Sequence, residues 1–180
     1  MDGGIMSLKK TALLTLGLAL LSAMSVFAQK DSMGKIDTLY AEPYQIDAKN
    51  WGINLSLTND EDIVGISVPL RFTSGKIRLV ADSTIFKGGR AEHFRVKFAR
   101  ADTAIQCATI GLIADIGVSV PPMQPGSGRI ATIFVSSLDG DKIPDLKVDT
   151  TTTNPGNTLQ MVSPPVNEVI PVFVVKKGKK

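Results

Sequence analysis

Apolar and polar residues alternate with a period of two along most of the chain beyond residue 35. The clearest run is 51–58, where Trp, Ile, Leu and Leu at the odd positions alternate with Gly, Asn, Ser and Thr at the even positions. Successive side chains on a strand point to opposite faces, so this pattern predicts a strand with one buried and one solvated side. Comparable segments predict further strands at 36–41, 64–72, 77–79, 94–98, 105–113, 129–136, 158–162 and 169–175.

Turn-forming segments separate these strands, among them 59–62 (Asn-Asp-Glu-Asp), 73–75 (Thr-Ser-Gly) and 87–90 (Lys-Gly-Gly-Arg). Beyond residue 28, no long window holds the i, i+3, i+4, i+7 pattern of an amphipathic helix. Short strands at this spacing predict an all-β fold. The expected architecture is an antiparallel β-sandwich of about nine strands, in which two sheets bury their alternating faces against each other.

Strand parity also predicts which side chains face outward. Ser67 and Arg71 are expected to point outward from the third predicted strand, whose apolar residues at 66, 68 and 70 point inward. By the same rule Arg95 and Lys97 point outward from the fifth strand, and the apolar residues at 94, 96 and 98 point inward. Pro69 cannot donate a ladder hydrogen bond, so a bulge or a sheet edge is expected there.

The segment 6–28 has the form of a secretory signal peptide. Lys9 and Lys10 form a positive start, residues 11–28 carry no charge, and compact residues occupy the −3 and −1 positions before a cut after Ala28. The alternative is an uncleaved anchor, which needs about 20 apolar residues, and a polar Gln-Lys-Asp follows here at once. The sequence therefore predicts a secreted or periplasmic protein with no membrane attachment after cleavage. Its expected parts are a signal peptide at 1–28, a sandwich domain at 29–175 and a basic tail at 176–180.

Charge and cysteine content narrow the classes of function. The chain has a net charge of +3, but six of its cations lie in the leader and the tail, so the body between them is slightly acidic. Nucleic-acid binding needs cations clustered on the folded surface and is not expected. The one cysteine, Cys107, excludes an internal disulfide and a lipid anchor at the cleavage site. Its apolar surroundings predict a small core residue.

Candidate catalytic and metal-binding residues are sparse. His93, the one histidine, stands near Gly88-Gly89 in a chain with no Gly-x-Ser-x-Gly elbow, so no catalytic role is expected. One histidine and one distant cysteine cannot build a zinc site. Asp139, Asp141 and Asp145 offer clustered carboxylates, but the full calcium-loop pattern is absent and an Asp-Gly turn is favoured. A solvated loop is likewise favoured for 59–62. We therefore expect a non-enzymatic protein with no cofactor and no metal.

The order of several segments carries a resemblance to a known family. A strand that ends in Thr-Asn-Asp at 58–60 is followed by Ile-Val-Gly-Ile-Ser-Val-Pro-Leu-Arg-Phe at 63–72. Pro-Gly-Ser-Gly at 125–128 precedes an apolar strand, and Thr-Asn-Pro-Gly-Asn-Thr at 153–158 precedes the last ones. This order resembles the cohesin-like domains of secreted bacterial proteins, which are related in fold to cellulose-binding modules. The resemblance covers about residues 35–175.

The resemblance implies a nine-stranded jelly-roll sandwich that docks to another protein, such as a dockerin-like or other exported partner. In cohesins one flat sheet face receives the partner helix, and the third and fifth strands would belong to that face. The candidate partner-facing residues are then Ser67, Arg71, Arg95 and Lys97. Their basic character favours an acidic partner.

Carbohydrate binding is the alternative function. Aromatic side chains that stack on sugar rings combine an apolar face with a polar tip. Tyr40 and Tyr44 are the candidate glycan-stacking residues, whereas Trp51 shares its parity with the apolar positions of its strand and is expected in the core. The prediction of a polysaccharide partner therefore rests on two tyrosines.

Overall fold

The computed structural model describes residues 33–115, 119–151 and 158–177. The predicted signal peptide lies outside the described residues, as does the end of the basic tail. Eleven strands form within the described ranges. They are β1 (Thr38–Gln45), β2 (Asn50–Asn59), β3 (Gly65–Thr73), β4 (Leu79–Ile85), β5 (Val96–Asp102), β6 (Cys107–Ile113), β7 (Gly126–Ser137), β8 (Lys147–Thr150), β9 (Gln160–Ser163), β10 (Asn167–Val169) and β11 (Val172–Val175).

The strands form two sheets that pack face to face as a jelly-roll sandwich, which confirms the predicted all-β fold. The first sheet has the order β11-β1-β2-β7-β4, and the second has the order β10-β9-β3-β6-β5, with β8 also paired to β3. Every pairing is antiparallel except that of β1 with β11, which is parallel. No helix in the described ranges is long and apolar enough to span a membrane.

The core between the sheets follows the predicted parity of β2 and β3. Trp51 is buried with 3% exposure, and its indole Nε1 donates a hydrogen bond to the carbonyl oxygen of Ile143 at 3.2 Å. The apolar side chains at 66, 68 and 70 of β3 are buried as well. Ser67 and Arg71 lie on the opposite side of the same strand, as the alternation predicts.

Pro69 lies inside β3, where the strand changes its neighbour. Gly65 to Ser67 pair with β9, and Leu70 to Thr73 pair with β8. The carbonyl oxygen of Pro69 accepts a hydrogen bond from the Thr151 N–H at 3.4 Å, so the nitrogen of Pro69 faces the same side, between β9 and β8. The N–H that proline lacks would therefore have pointed to the place where β3 changes its neighbour from β9 to β8. Its pairing with β6 runs without the predicted bulge.

The structure corrects the predicted parity of β5. Phe94 is buried but precedes the strand, in a turn where its N–H bonds to the carbonyl oxygen of Ala91. Within β5, Lys97 pairs with the buried Leu112, whereas Phe98 is 46% exposed. The prediction that 94, 96 and 98 share an inward face was wrong because the turn before the strand breaks the alternation.

The strand count and boundaries also differ from the prediction. β8 was not predicted, since only Val148 is buried among its four residues. The predicted strand 169–175 is divided into β10 and β11 around Ile170 and Pro171, where proline cannot continue a ladder. The strand predicted at 129–136 begins earlier than expected, because Gly126 already pairs with Asn59 as the first residue of β7.

Candidate interaction face

The outward face of the second sheet is built by rows of residues that the strand register aligns. Paired residues on neighbouring strands project to the same side of a sheet. One row runs from Phe98 on β5 through Gly111 on β6 and Ser67 on β3 to Gln160 on β9. The face is therefore continuous across four strands, with the only aromatic ring of this row at the β5 edge.

Phe98 lies flat on this face because its neighbour is a glycine. A methyl group placed on the Cα of Gly111 would stand 2.1 Å from the Cε1 and Cζ atoms of Phe98, so the ring occupies the space above Gly111. Nearly half of the side chain remains exposed. An aromatic ring held over a glycine offers a large apolar contact surface with little freedom left to lose.

Further apolar groups flank the ring. The adjacent row contains Val96 on β5, Ile113 on β6, Gly65 on β3 and Val162 on β9. Each of its three aliphatic side chains is half-buried. These residues and Phe98 give the outward face an apolar centre.

Two arginines border this centre. Arg100 lies two residues beyond Phe98 on β5 and pairs with Thr109, and Arg71 pairs with Cys107 on the same face. Both arginine side chains are exposed. Two acidic residues, Asp102 on β5 and Asp149 on β8, lie in the same row as Arg71 and belong to this border as well. The face thus combines an apolar centre with a charged rim, as protein-binding surfaces do.

The structure brings two of the four predicted partner-facing residues onto this face. Ser67 and Arg71 lie there, while Arg95 precedes β5 and forms an ion pair with Asp115 at 3.7 Å. Lys97 has inward parity, and its Nζ donates to the carbonyl oxygens of Glu92, at 2.9 Å, and of Phe94. Lys97 therefore binds the turn before β5.

Sequence reasoning missed Phe98, the most exposed apolar residue of the face. Its parity was assigned by extending the alternation back through Phe94. A signal was present in Gly111, because a glycine inside a strand often faces an aromatic ring on the neighbouring strand. That signal requires the β5–β6 register, which the sequence does not show.

The side chains that the sequence offered as catalytic or metal-binding candidates form structural contacts. The Nε2 of His93 lies 3.0 Å from the carbonyl oxygen of Pro121. The Sγ of Cys107 donates to the carbonyl oxygen of Ile105 at 3.3 Å and is buried, although it sits on the outward side of β6. Asp139 is paired with the Arg78 guanidinium, which holds the pKa of that carboxyl below its usual value.

Three carboxylates meet where the loop after β2 lies beside the residue that precedes β1. Oxygens of Asp37, Asp60 and Glu61 lie within 4.8 Å of one another. The Oδ2 of Asp60 accepts a hydrogen bond from the Lys35 N–H at 2.6 Å, which lowers the pKa of Asp60, and the Asp60 N–H donates to Asp37 Oδ1 at 3.3 Å. Arg90 lies near enough to Asp37 for a favourable charge interaction. These contacts make the cluster part of the loop's own structure.

Tyr40 and Tyr44 lie on the other outer surface, that of the first sheet. The Tyr44 ring covers Gly52, where a methyl group would stand 2.1 Å from its Cζ. On the far side of Gly52, the register places Phe134 of β7. The Lys176 Nζ lies 4.3 Å from the centre of the Tyr40 ring, a cation–π contact made by the first residue of the predicted tail.

No family model and no curated protein sequence matches the chain. Solved structures do resemble it. The sixth cohesin of scaffoldin B from Acetivibrio cellulolyticus, in complex with a Cel5 dockerin mutant, superposes with a TM-score of 0.57 at 10% identity, covering 80% of this chain and 96% of the cohesin. A type I cohesin–dockerin complex from Clostridium thermocellum, Coh-OlpA-Doc918, gives 0.59 at 13% identity, with coverages of 79% and 99%.

The chain has the cohesin fold. A type II cohesin domain from the Acetivibrio cellulolyticus cellulosome resembles it as well, with a TM-score of 0.51 at 9% identity, covering 79% of this chain and 93% of that domain. Identities this low show a shared fold and leave the surface residues to be judged by their own chemistry. In this cohesin fold, the residues around Phe98 form an exposed apolar patch on the outward face of the second sheet.

Proposed function

We propose that the protein is an exported, non-enzymatic docking module that binds another protein through the outward face of its second sheet. The observation that supports this most directly is the exposed Phe98 ring held over Gly111. Binding energy at protein interfaces is concentrated in a few aromatic and arginine anchors surrounded by near-neutral contacts. Phe98, with Arg71 and Arg100 nearby, has that composition.

The charges of the face suggest the character of the partner. Arg100 and Arg71 are exposed one and two rows beyond the row that Phe98 begins, both on the same side of it. Exposed cations at an interface rim accelerate association with an acidic surface more than they tighten the complex. We propose an acidic protein partner whose association rate falls as salt rises.

The solved neighbours suggest a class of partner. Two of them are described as complexes of a cohesin with a dockerin. A dockerin-like domain is therefore the first partner to test, and any other exported protein with a compact apolar and acidic surface is the broader class. The export part of the proposal rests on the leader sequence at 6–28.

The non-enzymatic part is supported by the contacts of the nucleophile and base candidates. Catalysis by a cysteine or a serine requires an adjacent general base that is free to accept its proton. The thiol of the buried Cys107 donates a hydrogen bond to the carbonyl oxygen of Ile105. The imidazole of His93 contacts the carbonyl oxygen of Pro121. Within the described part of the chain the two side chains contact different carbonyl oxygens, and these contacts supply no pair of nucleophile and base.

A capture experiment tests the docking proposal. Wild-type protein is immobilised and exposed to the exported proteins of its own source, with and without a panel of purified dockerins. Phe98→Ala should reduce capture of the partner at least about tenfold, the scale of an aromatic anchor worth 1.4 kcal/mol or more. Leu138→Ala is the matched control, because Leu138 is 48% exposed but lies after β7. Equal capture by the two variants would contradict the proposal.

Carbohydrate binding is a second candidate, favoured by one observation on the first sheet. Tyr44 and Phe134 flank Gly52, and beside them the Thr132 hydroxyl donates to Asn54 Oδ1 at 2.8 Å. Flat rings beside a polar network match the apolar face and hydroxyl rim of a sugar. Native gels cast with insoluble or soluble polysaccharides test it. Retardation lost in Tyr44→Ala but kept in Phe98→Ala would favour the glycan function over docking.

A further inference from the structure

A cleft opens between β8 of the second sheet and β11 of the first. Its volume is about 660 Å³, and Pro43, Leu146, Val148 and Val175 contribute apolar lining. This is the size of a typical ligand cleft. It lies at the side of the sandwich, where the two sheets present strand edges.

Both walls of the cleft carry backbone groups that point away from their own sheets. The N–H groups of Val172 and Lys176 bond to carbonyl oxygens of Asp37 and Ala41 beside β1, so the intervening Val175 directs its N–H and C=O to the opposite side. No described strand pairs with that side of β11.

The same reasoning applies to β8. The Phe72 N–H bonds to the Gln106 carbonyl oxygen on the β6 side, so Phe72 and Val148 form a pair that exchanges no hydrogen bonds. The N–H and C=O of Val148 therefore point away from β3, and among the described strands none pairs with this edge. Val148 and Val175, one from each wall, both line the cleft.

The charges of the cleft are strongly one-sided. Arg71, Lys147, Lys176 and Lys177 line it, against the single carboxylate of Asp149. The occupant that complements this lining is negatively charged, and free strand edges recognise an extended backbone. An acidic chain with alternating apolar residues would place apolar side chains on the floor and carboxylates against the lysines.

We propose that the cleft between β8 and β11 binds an extended acidic peptide segment of a partner protein by strand addition. The backbone of the peptide pairs with Val148 or Val175, and its carboxylates face Lys147 and Lys177. Arg71 borders both this cleft and the Phe98 face, but the strand edges of Val148 and Val175 lie outside the rows around Phe98.

Fluorescence anisotropy with a labelled acetyl-(Glu-Val)₄-amide peptide tests the proposal. The variant K147Q/K177Q should weaken binding about tenfold, whereas K35Q/K87Q, which removes the same charge outside the cleft, should change it less than about twofold. A peptide of the same sequence with N-methylated backbone amides should also bind about tenfold more weakly, because it cannot donate to a strand edge. In NMR spectra the peptide should shift the amide signals of Val148 and Val175.

Other outcomes would overturn the proposal. Equal binding of the methylated and unmethylated peptides would show charge attraction without strand addition. Binding of polygalacturonate but not of the peptide would assign the cleft to an acidic polysaccharide. Failure of the peptide to bind, with self-association of K147Q/K177Q, would show that the lysines protect exposed edges from pairing with other copies.

Discussion

The ammonium group of Lys97 donates a hydrogen bond to the carbonyl oxygen of Phe94, the buried residue that closes the turn before β5. A second bond reaches the carbonyl oxygen of Glu92 in the same turn. We predict that Lys97→Ala lowers the free energy of unfolding by about 1–3 kcal/mol, since two charge-assisted bonds are lost. Partner capture by the folded fraction should be unchanged.

Arg100 provides the matched cation for this prediction. It lies on the outward face of β5, three residues beyond Lys97. Arg100→Ala should change stability by less than about 0.5 kcal/mol and should slow partner association. Urea unfolding and surface plasmon resonance measure the two effects. The reverse result, with Lys97 governing association and Arg100 governing stability, would contradict the assigned parity of β5.

Gly111 is predicted to control the position of Phe98. A methyl group at this position would overlap the ring, and an exposed side chain can move aside. We therefore expect Gly111→Ala to change stability by less than about 1 kcal/mol while it weakens partner binding by displacing the ring.

Gly65 is the control for this substitution. It lies on the same face in β3, and its added methyl would meet Val162 at an ordinary 3.5 Å. Gly65→Ala should leave partner binding within about twofold of wild type. Binding that falls equally in both variants would show that the ring position over Gly111 has no special role.

The pair of Arg78 and Asp139 should make stability depend on pH. The hydrogen bond from the Arg78 side chain lowers the pKa of Asp139 below its usual 3.8. A carboxyl with a lowered folded-state pKa stabilises the fold at pH values above its unfolded pKa, and this contribution is lost as the pH falls through the folded pKa. Asp139→Asn should therefore melt below wild type near neutral pH, and the difference should vanish in strong acid.

Asp141 is the control for the substitution of Asp139 at neutral pH. It lies in the same turn, where its backbone N–H donates a hydrogen bond to Ser137 Oγ at 2.9 Å. The substitution to Asn leaves this backbone bond in place. Near neutral pH, Asp141→Asn should melt at the wild-type temperature, because the backbone N–H bond to Ser137 is retained. A gap between wild type and Asp139→Asn that persists unchanged into strong acid would rule out the titration of Asp139 as its source.

Export is predicted to remove the leader. Intact mass measurement of protein from a bacterial periplasm or medium should show a new N-terminus at Gln29. Ala28→Tyr should block the cut, because a large residue replaces the small one at the −1 position, whereas Phe27→Ala at −2 should still be cut. Recovery of wild-type protein with Lys9 and Lys10 in the membrane fraction would indicate an anchor.

The sequence predicted the sandwich well wherever a strand had one buried side. The alternation around Trp51 and along 64–72 assigned the inward residues of β2 and β3, and those residues are buried. Such strands can be predicted because the odd or even position of a residue is enough to indicate whether its side chain is buried. The bulge or sheet edge predicted at Pro69 is absent, because the proline lies where a central strand changes its neighbour from β9 to β8.

The residues at the sandwich margins could not be predicted in the same way. Phe94 and Phe98 look alike in the sequence, yet one closes a turn and the other lies over Gly111. β8 has too few apolar residues to be recognised, and its place beside β3 depends on tertiary pairing. The outward face and the cleft are products of register between distant segments, so their key residues emerge only from the fold.

The parallel pairing of β1 and β11 has a mechanical consequence. Thr38 to Ala41 pair in register with Val172 to Val175, so the start of β1 and the end of β11 lie at opposite ends of one ladder. A stretching force applied to the two ends of the domain would pull these strands past each other and strain all their hydrogen bonds together, where an antiparallel pair would be unzipped one bond at a time. A domain built this way is suited to resisting a stretching force between its two ends.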